Sequence, residues 1–429
     1  MQLSHYLKIY PFKDQPDQLL LFSTKHASKI LIPEETFKAI EKGTISDSEA
    51  ALLKELGMLV PDAEDEKQAM LNYMDEMNSN NRLLNLTVVM NLDCNFACPY
   101  CFEEGMKGKL YLSDSTEKLL LKFIKKKLVN NKDRLLIDFY GGEPMMSFDR
   151  MKSISEALIP YSEKQGVSFC SAMVTNGSLF TRKKAEELVK LGLQNIKITI
   201  DGPAEIHNKS RPFKSGANSF NTIIDNIKKT CDIVKIGIGG NYRQDNYKQF
   251  VLLLDYLLAE GLGPDKIYSV KFDPIMDLPS NSSRTTGLKS ECTSGNEPWI
   301  IEADSFLREE ILKRGWFPPK PAPMVCMIES KDSYVVNFDG KIYKCPTLNG
   351  KKGFEIGDLE AGTRDYTDSY NLGLWKNREC LECRYLPLCF GGCRYITFLK
   401  DGNVQNKDCK KEFFDASLET MLLQDIKYS

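Results

Sequence analysis

The spacing of apolar positions divides the chain into three stretches. In the first, to about residue 80, short apolar runs at 7–11, 18–22 and 29–32 read as strands. Helical patterns follow at 33–42 and 46–56. Ser46 and Asp47 stand at an N-cap, and Gly57 stands where the helix should stop. The charged segment 62–81 reads as a solvated helical linker.

From about 84 to 278 the pattern alternates. Strands are expected at 84–91, 134–140, 167–175, 196–200, 234–239 and 267–274. Helices are expected at 113–129, 148–165, 181–191, 219–231 and 247–260. Such alternation means parallel strands joined by right-handed crossovers. Six units are too few to close an eight-stranded barrel. A partial open barrel and a doubly wound sheet both remain, and either places working residues at the C-terminal ends of the strands. Residues 278–298 read as a loop. One amphipathic helix follows at 300–314, and then apolar periodicity fades and cysteines accumulate.

With 429 residues, about three domains are expected. Lys and Arg number 57 against 59 Asp and Glu, so no basic field marks nucleic acid as a partner. No apolar run approaches the ~18 residues of a membrane span. Residues 1–10 lack the order of a secretory signal, so the protein is expected to be soluble and cytoplasmic, with no membrane partner. Thirteen cysteines and three histidines change this picture. A reducing compartment disfavours disulfides, so the cysteines point to thiolate ligands.

The first group is Cys94-x3-Cys98-x2-Cys101, just after the first strand of the alternating region. Three thiolates this close can wrap one face of an iron–sulfur cubane and leave one iron open. A structural zinc turn competes, but zinc sites favour C-x2-C pairs. After the second strand comes Gly141-Gly142-Glu143-Pro144. Asn176 follows the third strand, and Thr199-Ile-Asp201-Gly202-Pro203 ends the fourth, running on to His207 and Arg211.

These segments resemble the radical S-adenosylmethionine (SAM) superfamily. Cys94, Cys98 and Cys101, with Tyr100 before the last, match its cluster loop. Gly142 and Glu143 match its GGEP motif, which holds the SAM amino group. Asn176, Thr199 and Arg211 fall at further cofactor contacts, with Thr199 toward the ribose and Arg211 toward the carboxylate. The resemblance implies a partial (β/α)6 barrel over 84–298, a small N-terminal α+β domain over 1–80 and a Cys-rich domain over 299–429. His207 is expected to be structural, and no catalytic residue is singled out.

The C-terminal cysteines are Cys326, Cys345, then Cys380-x2-Cys383-x5-Cys389-x3-Cys393, and Cys409. A zinc ribbon and a disulfide scaffold are the plain alternatives. The spacing resembles the SPASM extension, which carries two auxiliary 4Fe–4S clusters. The resemblance implies Cys326, Cys345 and Cys393 at the first auxiliary cluster. It implies Cys380, Cys383, Cys389 and Cys409 at the second. The first then lacks a fourth cysteine, for which Cys292 is a distant candidate. Cys170 and Cys231 read as core residues.

The resemblance implies SAM and three 4Fe–4S clusters as cofactors, a precursor peptide as substrate, and a flavodoxin or ferredoxin as electron donor. Sulfatase maturases carry Asp directly after the second extension cysteine; here Pro346 follows Cys345. The expected activity is therefore maturation of a ribosomally made peptide by thioether or carbon–carbon cross-linking. Sulfatase-type side-chain oxidation, small-molecule cofactor biosynthesis and a non-enzymatic zinc scaffold are the alternatives. The first 80 residues are expected to bind a leader peptide or to cover the barrel bottom.

Overall fold

The computed structural model describes residues 1–129, 131–276 and 294–428. The expected loop at 278–298 therefore lies, up to residue 293, outside the described residues, as does Cys292.

Six parallel strands form the centre of the molecule: Leu83–Val89, Arg134–Tyr140, Ser168–Thr175, Leu193–Thr199, Lys235–Tyr242 and Ile267–Pro274. They pair strictly in chain order. A doubly wound sheet would reverse its order at a switch point. The sequential order instead gives the partial barrel, with mixed α/β architecture. Leu135, Ile137 and Phe139 of the second strand are fully buried, while Tyr140 lines a central cavity. Alternation along a strand then turns Leu136 and Asp138 to that same inner face.

Two helices follow their capping signals. Asp114–Leu128 begins after Ser113, whose hydroxyl accepts the Thr116 N–H, and buries Leu120, Phe123 and Ile124. Asp47–Glu55 is closed by a capping box between Ser46 and Glu49. A short helix, Ala204–Ser210, was not anticipated, nor was the C-terminal helix Lys411–Lys427.

One expectation needs correction. The charged segment after residue 62 is not a solvated linker helix. It forms two short helices, Ala63–Met70 and Tyr73–Ser79, with Met70 and Met74 buried against Tyr6, Trp375, Leu386 and Phe390. The Cys-rich part also carries strands. Ser333–Val336 pairs in parallel with Leu83–Val89, and Lys341–Tyr343 folds back on it. The central sheet thus reaches ten strands, crossing the expected boundary at residue 299.

At the N-terminus, Leu7–Pro11, Gln18–Ser23 and Lys29–Pro33 form an antiparallel sheet. Leu20 and Phe22 pack on Tyr385, Leu388, Leu418 and Leu422, so this sheet docks on the Cys-rich region. Among the described residues no helix is long and apolar enough to cross a membrane.

Candidate active site

All six core strands deliver residues to one cavity of about 400 Å³. The loop after the first strand brings Cys94, Cys98, Tyr100 and Cys101. The second brings Tyr140, Gly141 and Gly142, and the third Thr175 and Asn176. Lys197 and Thr199, Asn241, and Pro274 come from the last three. Thr347 and Tyr395 of the Cys-rich region close the opposite wall.

The cysteine loop is held by backbone. Gly142 N–H donates to Asn91 O at 3.0 Å and Glu143 N–H to Asp93 O at 2.8 Å. A Cβ on Gly141 would meet Asn91 O at 2.4 Å, and one on Gly142 would meet Asp93 O at 2.2 Å. The two glycines thus permit the close approach of strand end to cysteine loop. On its other side the loop pairs with the segment after helix Ala204–Ser210. Ala97 N–H donates to Pro212 O and Lys214 N–H to Asn95 O, both at 2.9 Å. Asn176 Nδ2 lies 3.9 Å from Cys94 Sγ and 2.8 Å from Asn95 Oδ1. Burial pushes the Cys94 thiol up to about 11.

Glu143 is fully buried and lies behind the cavity wall. Its carboxylate accepts Thr175 Oγ1–H at 2.6 Å, Met145 N–H at 3.0 Å and Asn176 N–H at 2.8 Å. The carboxylate therefore ties the ends of the second and third strands together.

Arg211 lines the cavity and is reached by the pairing just described. Its Nη1 donates to Tyr100 Oη at 2.7 Å, while its Nε is buried without a partner. Tyr100 Oη–H donates to Asp201 Oδ2, and Asp201 Oδ1 accepts Asn241 N–H at 2.8 Å. His207 Nδ1 accepts the Asp201 N–H at 3.1 Å. Its Nε2 then carries the proton toward Ser219 Oγ at 3.1 Å, since the Ser219 hydroxyl donates to Arg211 O at 2.6 Å. His207 is fully buried and serves as a strut under the Asp201 turn.

Several lining residues carried no motif. Lys107 stands beside all three cysteines of the loop; burial pulls its ammonium down, and attraction to Cys101, Cys98 and Cys94 as thiolates outweighs this and raises it above the ordinary lysine value. Burial pushes the Glu103 carboxyl up to about 7, opposed by the Lys107 ammonium. Lys197 lies across the fifth strand, where a Cβ on Gly239 would meet its Cε at 2.3 Å. Thr347 and Tyr395 are near neighbours of Cys345 and Cys393 in sequence.

The remaining cysteines form two further groups. Cys326, Cys345 and Cys393 lie close enough to perturb one another electrostatically. The hairpin ending at Tyr343 delivers Cys345, and Thr347 Oγ1 sits 3.0 Å from its Sγ. Buried Arg394 pairs with Glu329 at 2.7 Å and so joins the segments bearing Cys393 and Cys326. Cys380, Cys383, Cys389 and Cys409 all line a separate cavity of about 420 Å³. Burial pushes Cys389 up to about 12. All twelve described cysteines are free.

Residues 88–257 match the radical SAM superfamily. The chain carries a radical SAM domain. A cysteine-type anaerobic sulfatase-maturating enzyme of Clostridium perfringens is 23% identical over 368 residues, covering 77% of this chain and 94% of its own. Two solved structures share the fold. One is anSMEcpe with bound AdoMet and the Kp18Cys peptide, with a TM-score of 0.64, 18% identity and coverage of 80% and 99%. The other is Streptococcus suis SuiB bound to precursor peptide SuiA, with a TM-score of 0.53, 16% identity and coverage of 95% and 98%. The protein is a radical SAM enzyme, and this superfamily binds SAM and a 4Fe–4S cluster.

The residues present fit those groups. Buried thiols favour the neutral form, so a set of three or four needs a cationic centre to become thiolate ligands. Three thiols on one loop line the first cavity and four line the second, donor sets that can place one thiolate on each of several irons of a cubane. The buried Arg211 Nε is a free donor suited to a carboxylate. Around the four-thiol cavity, Tyr6 Oη and Trp375 Nε1 are buried donors without a partner in the cluster that packs on Cys380.

Proposed function

We propose that this radical SAM enzyme matures a ribosomally made precursor peptide by thioether or carbon–carbon cross-linking. The observation that carries the reading is the shared cavity. Three thiols at the strand ends form one wall, and Thr347 and Tyr395, beside two Cys-rich-region thiols, form the other. A substrate segment held between them meets both chemistries at once.

In this reading Cys94, Cys98 and Cys101 hold the SAM cluster. Arg211 takes the SAM carboxylate, with Tyr100 and Asp201 fixing its guanidinium. Gly142 and Asn176 line the amino-acid end, and Thr199 lines the ribose end. Glu143 positions that wall from behind. When bound, SAM and its cluster supply a 5′-deoxyadenosyl radical that takes a hydrogen atom from a substrate carbon. Cys326, Cys345 and Cys393 hold a first auxiliary cluster; Cys380, Cys383, Cys389 and Cys409 hold a second. Joining C–H and S–H into a thioether releases two electrons in all, so an electron-accepting centre beside the cavity suits the bond formed. A flavodoxin- or ferredoxin-like protein supplies the reducing electron.

The peptide substrate is supported by relatives whose names or ligands are peptides or proteins. The SuiB fold covers 95% of this chain at a TM-score of 0.53 and the anSMEcpe fold 80% at 0.64, so the fold is shared with both and does not choose between them. An outer strand of the N-terminal sheet can pair with an extended leader. Sulfatase-type oxidation is the second reading, favoured by the 94% of the C. perfringens enzyme that is matched and opposed by Pro346.

The test is anaerobic co-expression with peptides encoded beside the gene, followed by mass spectrometry. A loss of two hydrogens that joins two residues is the expected result. The reading fails if only a sulfatase-derived cysteine or serine peptide is modified. Full loading should give roughly twelve irons per chain, at four for each cluster.

A further inference from the structure

The four-thiol cavity is not built by the Cys-rich region alone. Lys8, on strand Leu7–Pro11 of the N-terminal sheet, lines it beside Cys380, Cys383, Cys389 and Cys409. Its Nζ sits 4.4 Å over the Tyr385 ring. That ring is fixed in turn, because Tyr385 Oη–H donates to Asp415 at 2.6 Å and the ring stacks on Phe414 with centroids 5.4 Å apart. Two residues before Lys8, Tyr6 packs on Cys380 and keeps its buried hydroxyl unpartnered. Thr24 Oγ1–H donates to Arg384 O at 2.6 Å, pinning the sheet to the segment between Cys383 and Cys389.

We infer that the N-terminal sheet is a working wall of this cavity, and that Lys8 is a positioning residue that sets the reduction potential of the cluster held there. The inference rests on the reading of these four thiols as cluster ligands. A thiolate-bound cluster is anionic and gains a further negative charge on reduction. A fixed cation nearby favours the reduced state, and net charge and solvent access are the levers on such potentials. The charged groups facing the cavity are Lys8, Arg384, Lys407 and Lys411 against Glu379, Glu382 and Asp415. Glu379 is paired with Lys407 and Glu382 with Lys67. Lys8 is held by an aromatic ring, so its charge is not cancelled in a direct ion pair. The folded N-terminal sheet and electron transfer at the second auxiliary cluster are then coupled, and whatever binds the sheet is felt at the cluster.

The experiment is a redox titration of the full-length, anaerobically reconstituted enzyme, followed by electron paramagnetic resonance. The wave lost in Cys380→Ala/Cys383→Ala, together with about four irons, identifies this site. In Lys8→Met that wave should move to lower potential with iron content unchanged, and Lys8→Arg should restore it. An unmoved wave in a fully loaded Lys8→Met enzyme overturns the role of Lys8 alone. Retention of all irons and waves in the double cysteine variant overturns the cluster reading beneath it.

Discussion

Thr175 donates its hydroxyl hydrogen to Glu143 Oε1 at 2.6 Å, across the ends of the second and third core strands. The carboxylate also takes two backbone N–H groups. Glu143→Gln presents an amide N–H₂ to one of these donors. Leaving a buried donor unmatched costs about 1–3 kcal/mol. The variant should unfold at lower denaturant and bind SAM more weakly, with its three loop cysteines intact. Urea unfolding and equilibrium dialysis check both.

Gly142→Ala should impair cluster loading without touching a ligand. Its Cβ would lie 2.2 Å from the Asp93 carbonyl, a backbone atom with little room to yield. The loop carrying Cys94 must move instead. Iron content is expected to fall by up to the four irons of one cluster, about a third of the total. Iron assay against the parent enzyme decides it.

Arg211→Lys tests the ligand carboxylate contact. Lysine keeps the charge but loses the planar fork that spans Tyr100 and the cavity. A charge-assisted hydrogen bond contributes roughly 1.5–3 kcal/mol, so SAM affinity should fall roughly tenfold to a hundredfold. Isothermal titration of the anaerobic enzyme measures it.

The strands at 134–140 and 267–274 were legible to the residue because their apolar runs alternate between covering helices and barrel interior. The helices after residue 62 were not. Met70 and Met74 find their apolar partners at Trp375, Leu386 and Phe390, three hundred residues away in sequence. Ser333–Val336 is too short to announce itself, and its partner strand lies at Leu83–Val89. The lining residues Tyr100, Gly142, Asn176, Thr199 and Arg211 were read from motifs, and the fold gathers them into one cavity. The direction of Glu143 was hidden, because its partners at Thr175 and Asn176 meet it only when two strands lie side by side. Lys107, Thr347 and Tyr395 had no motif at all, and proximity alone reveals them.

His207 predicts a specific acid sensitivity. Burial, with Arg211 nearby, pulls its imidazole down to about 3 from the ordinary 6.5. Between those values the unfolded chain binds a proton that the folded chain refuses, so stability rises with pH across this window. It is lost as pH falls from about 6.5 toward 3. Lowering pH from 7 to 5 should cost about 2 kcal/mol from this residue alone. His207→Gln should flatten that part of the profile, in urea unfolding at a series of pH values, whatever its stability at pH 7.

Arg394 and Glu329 form an ion pair with side chains 2% and 6% exposed. Arg394 also donates to Gly392 O at 3.2 Å, and Gly373 N–H donates to Glu329 Oε1 at 3.3 Å. The pair thus joins the segments that carry Cys393 and Cys326. Removing one partner strands a buried charge, at about 3–5 kcal/mol, whereas removing both leaves none. Glu329→Met and Arg394→Met should each destabilise the protein strongly, and the double variant should be less destabilised than their sum. A purely local role ends there. If the pair also sets the spacing of Cys326 and Cys393, even the double variant should lose iron while the cavity of Cys380, Cys383, Cys389 and Cys409 stays loaded. Unfolding free energies of the three variants, with iron counts on the same preparations, separate packing from ligand placement.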